Sequence, residues 1–192
     1  MAFPIAHALL GTSIVIAGSP QSPRHIGWKP LLIGAALGIV PDLDFIGVWF
    51  FNLDESWHRG FSHSILIAFA VGALMSLWTK QGTRIRWALV YGAAMASHGL
   101  ADVLTSIKGG VSLLWPISPE RFAAGLFEYP DFPIEPMYPH LATTDGIQLL
   151  QVSGIEFMAL STVLILTWTI KERTSSRFSP NRIWTRSFRK TS

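Results

Sequence analysis

Residues 31–51 form an apolar run long enough to cross a membrane, yet its middle reads Gly38-Ile39-Val40-Pro41-Asp42-Leu43-Asp44-Phe45. Burying one carboxylate in hydrocarbon costs at least ~2.5–3.5 kcal/mol. Two carboxylates two residues apart therefore need partners worth that cost. The same chain offers them, because His7, His58, His63, His98 and Asp102 lie within or beside other apolar segments. Ionisable clusters at membrane depth mark functional sites by default, and the simplest reading of this one is a metal centre.

Four further apolar segments accompany the first, at residues 3–18, 64–79, 87–107 and 152–170. A span needs about 20 residues, within a range near 17–25, so 3–18 and 64–79 are short and the others suffice. Charged residues make up 14% of the chain, well below the ~25% usual in soluble domains. Eight tryptophans, mostly near the ends of the runs, suit membrane–water interfaces. If all five segments span, twelve of the fifteen basic residues fall on one side; Arg59, Lys108 and Arg121 fall on the other, with eleven of the twelve acidic residues. Positive charge stays cytoplasmic, which predicts an outer N-terminus and an inner C-terminus. The basic segment 173–192 then reads as a cytoplasmic tail facing lipid rather than a nucleic-acid arm. The first run lacks a basic n-region, so it reads as a span and not as a cleaved signal peptide.

The expected fold is all-α, an integral membrane helical bundle of about five transmembrane helices. Residues 1–172 form its one membrane-embedded domain. One long outer loop, 109–151, carries six prolines that oppose helix through most of it, and it is placed to cap whatever opens on that face.

Depth sorts the polar residues. His7 lies 11 residues before Gly18, Asp42 12 residues after Pro30, and His98 11 residues after Trp87. At 1.5 Å per residue, each sits roughly 16–18 Å from the inner boundary. Three helices thus bring a polar group to one level, with Asp102 a turn further out and His58 and His63 at the outer end of the third segment. Pro41 suits a helix break that places Asp42 and Asp44 near a positive helix N-terminus.

With no cysteine, any metal is held by nitrogen and oxygen. His98 and Asp102, four apart, share a helix face; both can ligate, or the carboxylate can orient the imidazole, or the pair can merely staple helices. Arg59, inside His58-Arg59-Gly60-Phe61-Ser62-His63-Ser64, suits a phosphate or carboxylate oxygen, or alternatively a lipid headgroup. Ser62 or Ser64 reads as a helix N-cap rather than a nucleophile. His25 sits on the basic side, away from the cluster. Glu128, Glu135, His140 and Asp145, in the outer loop, are weaker candidates for a further ligand. Phosphate-binding Gly-rich loops, a Gly-x-Ser-x-Gly elbow and His-Glu-x-x-His are absent from the sequence. Two rival readings use the same groups: an ion or proton relay or transporter, and a structural membrane protein with a metal staple. Against transport stand a single helix break and no internal repeat.

The ordered set His7-Ala8-Leu9-Leu10, Pro41-Asp42-Leu43-Asp44, His58 to Ser64, Ser97-His98-Gly99-Leu100-Ala101-Asp102 and Leu114-Trp115-Pro116 resembles the inner-membrane metal-dependent hydrolase family of bacteria and archaea, the YdjM-like proteins. The resemblance covers roughly residues 1–120. It implies remote similarity to zinc-dependent phospholipase C and P1-type nucleases, all-helical enzymes with His/Asp zinc clusters, and hence phosphoester hydrolysis. The reading that follows is a multi-pass inner-membrane hydrolase acting on a phosphoester or lipid-like substrate. It would use one or two divalent ions, zinc or alternatively manganese, with membrane lipid as partner and no nucleic acid. The expected ligands are His7, Asp42, Asp44, His58, His63, His98 and Asp102. Asp44 is the expected base or bridging ligand, and Arg59 the holder of an anionic oxygen.

Overall fold

The computed structural model describes residues 4–54, 57–105, 109–125 and 144–177. Helix α1 is Pro4–Gly18, opened by a proline that suits the first helical turn. Helix α2, Trp28–Ile39, runs into a 3-10 turn, Val40–Leu43, from which α3, Asp44–Phe51, departs. The expected break therefore falls at Pro41. Asn52, left-handed at φ 49°, ends α3 as its C-cap.

Helix α4, Ile65–Ser76, starts where the Ser64 hydroxyl caps the amides of Leu66 and Ile67. Helix α5, Arg84–Thr105, is the most enclosed, burying Tyr91, Ala94, Met95, His98 and Asp102. Helix α6 is Thr144–Arg177. It begins eight residues inside the stretch expected as loop and extends five residues into the stretch expected as tail.

The helices α1, α2, α4 and α5 form the core, where Val15, Leu37, Ala68, Val90, Tyr91 and Ala94 meet, and α6 packs along α1. No strand occurs among the described residues, only an isolated bridge between Val111 and Phe122. Two stretches are long and apolar enough to cross a membrane, Trp28–Val48 and Ser153–Ser176, while α1 and α4 are apolar but shorter. Most of the second stretch faces outward, with Ile155, Met158, Ile165 and Ile170 all exposed. That is the surface expected of a helix solvated by lipid rather than by a protein core.

Candidate metal centre

Four chain segments deliver the cluster. His7 comes from α1, Asp42 and Asp44 from the break between α2 and α3, His58 to His63 from the loop before α4, and His98 and Asp102 from α5. Gly38 makes the meeting possible. A Cβ at Gly38 would run into the backbone carbonyl of His7, so only glycine lets α2 approach α1 this closely. The Gly38 carbonyl in turn accepts a hydrogen bond from His98 Nδ1 at 2.7 Å.

These hydrogen bonds fix the imidazole tautomers. Asp44 Oδ1 accepts from His58 Nδ1 at 2.9 Å. Its Oδ2 accepts from the Arg59 amide at 3.0 Å and the Ser62 hydroxyl at 2.7 Å. With its proton given to Asp44, Ser62 Oγ accepts from His63 Nδ1 at 2.9 Å. Arg59 sits at φ 59°, a costly backbone state for a side chain, held from both ends: its amide donates to Asp44 and its carbonyl accepts from Ser112. The Nδ1 protons of His63 and His98 are thus committed, and their Nε2 lone pairs face each other at 3.1 Å. Two lone pairs at that distance repel unless a cation lies between them. Burial pushes the His63 pKa down, which favours the neutral imidazole that ligation requires.

The carboxylates complete a cage. His98 Nε2 lies 3.3 Å from Asp42 Oδ1 and 3.8 Å from Asp102 Oδ2. His63 Nε2 lies 3.4 Å from Asp102 Oδ2 and 3.9 Å from Asp42 Oδ1. One ligating atom from each of these four buried residues falls within 4.8 Å of all the others. Most of these separations are too long for good hydrogen bonds. Nitrogen and oxygen ligands about 2.0–2.2 Å from a tetrahedral zinc lie about 3.3–3.6 Å apart, close to the spacing found.

Polar satisfaction agrees with that fit. Both oxygens of Asp42, both of Asp102, both nitrogens of His7 and Nε2 of His58 are buried without a hydrogen-bond partner. Each orphan costs ~1–3 kcal/mol, and a domain stable by ~5–15 kcal/mol cannot carry them all. A divalent ion against two carboxylates and two neutral imidazoles leaves no net charge, the condition burial favours. The residues present therefore fit a divalent metal.

The structure brings all seven expected ligands into one region but in unequal roles. Asp42, His63, His98 and Asp102 make the four-atom cage. His7 touches it through Asp102 Oδ1 at 3.4 Å and stacks on His98 at 3.8 Å between ring centroids. Asp44 stands behind the cage, with both oxygens engaged by the 58–62 loop. His58 stacks on Phe45 and turns its ring edge-on to His63, 5.8 Å between centroids. Arg59 Nε is 3.8 Å from Asp102 Oδ2. Ser64 is the N-cap, whereas Ser62 links Asp44 to His63, a role its place beside His63 hinted at but the spacing did not assign. Gly38 carried no sequence signal. His25 bonds Ser22 far from the cluster. Glu128, Glu135, His140 and the side chain of Asp145 lie outside the described residues.

Behind the loop that carries His58 and His63 opens a cleft of about 280 Å³, lined by Trp57, Phe61, Trp115, Pro119 and Arg121 among others. Its aromatic rings contact one another edge-on.

Comparison with known proteins places this chain among relatives. A family model described as YdjM inner membrane protein matches residues 1–176. The inner membrane protein YbcI of Escherichia coli (strain K12) is 38% identical over 129 residues, covering 62% of this chain and 70% of that protein. The inner membrane protein YdjM of the same strain is 44% identical over 61 residues, 31% of this chain and 30% of that protein. No solved structure matches the chain significantly.

Proposed function

Because this chain belongs to the YdjM inner membrane protein family, we propose that it is a membrane-bound, metal-dependent hydrolase of a phosphoester or lipid-like substrate. The observation that carries this is the convergence of four buried side chains on one point, two of them carboxylates with both oxygens unsatisfied. Zinc is the preferred ion, since two imidazoles and two carboxylates at this spacing suit it; manganese is the alternative. A divalent ion supplies Lewis acidity, which activates water near neutral pH and polarises a phosphoryl oxygen.

The chain's own residues do the rest. Asp44 and Gly38 hold the imidazoles in their ligating tautomers. Arg59 lies beside the cage with a fixed backbone and can hold an anionic oxygen by charge-assisted hydrogen bonds. The aromatic cleft next to the loop gives the apolar part of an amphiphile a surface to lie on. The proposed topology has five spans, with the site end outward and the basic end in the cytoplasm, which the clustering of positive charge supports.

A second reading, a structural ion that staples the bundle, is favoured by the cage itself, since four protein ligands close a tetrahedral site. Turnover separates the two. Metal-loaded protein in detergent is expected to cleave a phospholipid, a lipid phosphate or a model phosphodiester, with activity lost on chelation and in Asp102→Asn. Absence of cleavage across all three substrate types would overturn the hydrolase and leave the staple.

A further inference from the structure

Helix α1 ends at Gly18, where the last carbonyls have no further turn to accept from. Two cations from two other helices meet them. Arg86, near the start of α5, donates Nε to the Gly18 carbonyl at 2.8 Å and Nη2 to the Ser19 carbonyl at 3.5 Å. Lys171, toward the end of α6, donates to the Ala17 carbonyl at 3.2 Å. A helix C-terminus carries about half a negative charge, so two full positive charges exceed what it balances. The carboxylate beside Lys171, that of Glu172, pairs instead with Arg24 at 3.5 Å. Neither Arg86 nor Lys171 has a carboxylate partner among the described residues, and the two are close enough for their charges to repel. Arg86 is exposed and Lys171 half-buried. A guanidinium has five N–H donors and an ammonium three, so both keep donors that the α1 carbonyls do not use.

The pair stands at the level where a bilayer carries its headgroups. The apolar stretch Trp28–Val48 opens at this end with Trp28, 67% exposed and with Lys29 5.8 Å over its ring, and the stretch Ser153–Ser176 closes shortly after Lys171. Exposed tryptophan and lysine at the end of a span suit the membrane–water interface. We propose that Arg86 and Lys171 clamp the phosphate of an anionic phospholipid against the C-terminal end of α1. The planar fork of Arg86 and the point charge of Lys171 suit phosphate oxygens, and basic pockets between spans take such headgroups. The clamp differs from the basic segment 173–192 in being built from two fixed side chains on two helices. It ties α6, otherwise packed along α1 alone, to α5. It does not depend on the metal centre. Soluble phosphate offers the same oxygens, so the test separates the two sources.

Full-length protein in neutral detergent is given phosphatidylglycerol, phosphatidylcholine or inorganic phosphate, with bound lipid read by native mass spectrometry and stability by the thermal unfolding midpoint. Retention of phosphatidylglycerol and a raised midpoint are expected, with neither effect from the other two. Arg86→Gln with Lys171→Gln should weaken phosphatidylglycerol binding about 10–30-fold, the effect of two charges beside an anionic headgroup. Lys80→Gln with Arg84→Gln, which removes the same charge from the same end, should leave it nearly unchanged. Equal weakening in the two pairs would overturn the clamp in favour of diffuse attraction. Equal retention of phosphatidylcholine would overturn it too, as would displacement of the lipid by inorganic phosphate. If the first pair fails to fold, Lys171→Gln is read against Lys80→Gln with the same two outcomes.

Discussion

Asp42 and Asp44 carry the same carboxylate two residues apart and have different duties. Asp42 faces the cage with both oxygens unsatisfied, whereas Asp44 accepts three hydrogen bonds from the loop that carries His58 and His63. The sequence exposes both as too costly to bury without partners, but the residue spacing cannot divide the roles. The division depends on the turn at Val40–Leu43 and on a loop conformation with Arg59 at positive φ, neither of which leaves a trace in composition. Asp44→Asn offers an amide where three donors meet, so His63 and His58 lose their fixed tautomers. Metal affinity is expected to fall about 10–100-fold, the usual cost of removing an orienting partner, read by competition with a chromophoric chelator. Asp42→Asn, which removes a ligand, should weaken binding further. Unchanged affinity in Asp44→Asn would contradict its positioning role.

At the scale of elements, the helices were legible because apolar runs, prolines and charges marked their ends. The break at Pro41, the Ser64 cap and the shared level of His7, Asp42 and His98 all emerge in the structure. The start of α6 did not show, because the proline argument against helix holds only as far as Pro139, and residues 144–151 carry nothing that prevents one. The contact of α1 with α2 was equally hidden, since a glycine in an apolar helix reads as neutral. Gly38 joins two tasks, backbone approach to His7 and acceptance of the His98 proton. Gly38→Ala is expected to force the helices apart and lower stability by about 1–3 kcal/mol, the range for overpacking. A fall in the thermal unfolding midpoint in detergent, with weakened metal binding, is the expected result; a midpoint equal to that of the unaltered protein would contradict the tight approach.

At the scale of the molecule, several basic side chains gather at one end. Arg86 donates to the Gly18 carbonyl at 2.8 Å, Lys171 to the Ala17 carbonyl at 3.2 Å, and Arg24 pairs with Glu172 at 3.5 Å. All of these lie at the C-terminal end of α1, while His7 sits toward its other end. Cations at a helix C-terminus match its dipole, and they mark this end as the cytoplasmic one in the proposed topology. The chain has no cysteine, so a single introduced one reports cleanly. Glu120→Cys is expected to react with an impermeant thiol reagent in intact cells and Thr83→Cys is not; the reverse pattern would overturn the orientation.

The central proposal is that the buried His/Asp cage holds a divalent ion. Elemental mass spectrometry on detergent-purified protein, beside His98→Ala and Asp42→Ala, tests it most directly. At least one zinc or manganese ion per chain is predicted in the unaltered protein, with loss of the caged ion in both variants. No bound ion in any sample, even after reloading with zinc or manganese, would contradict it.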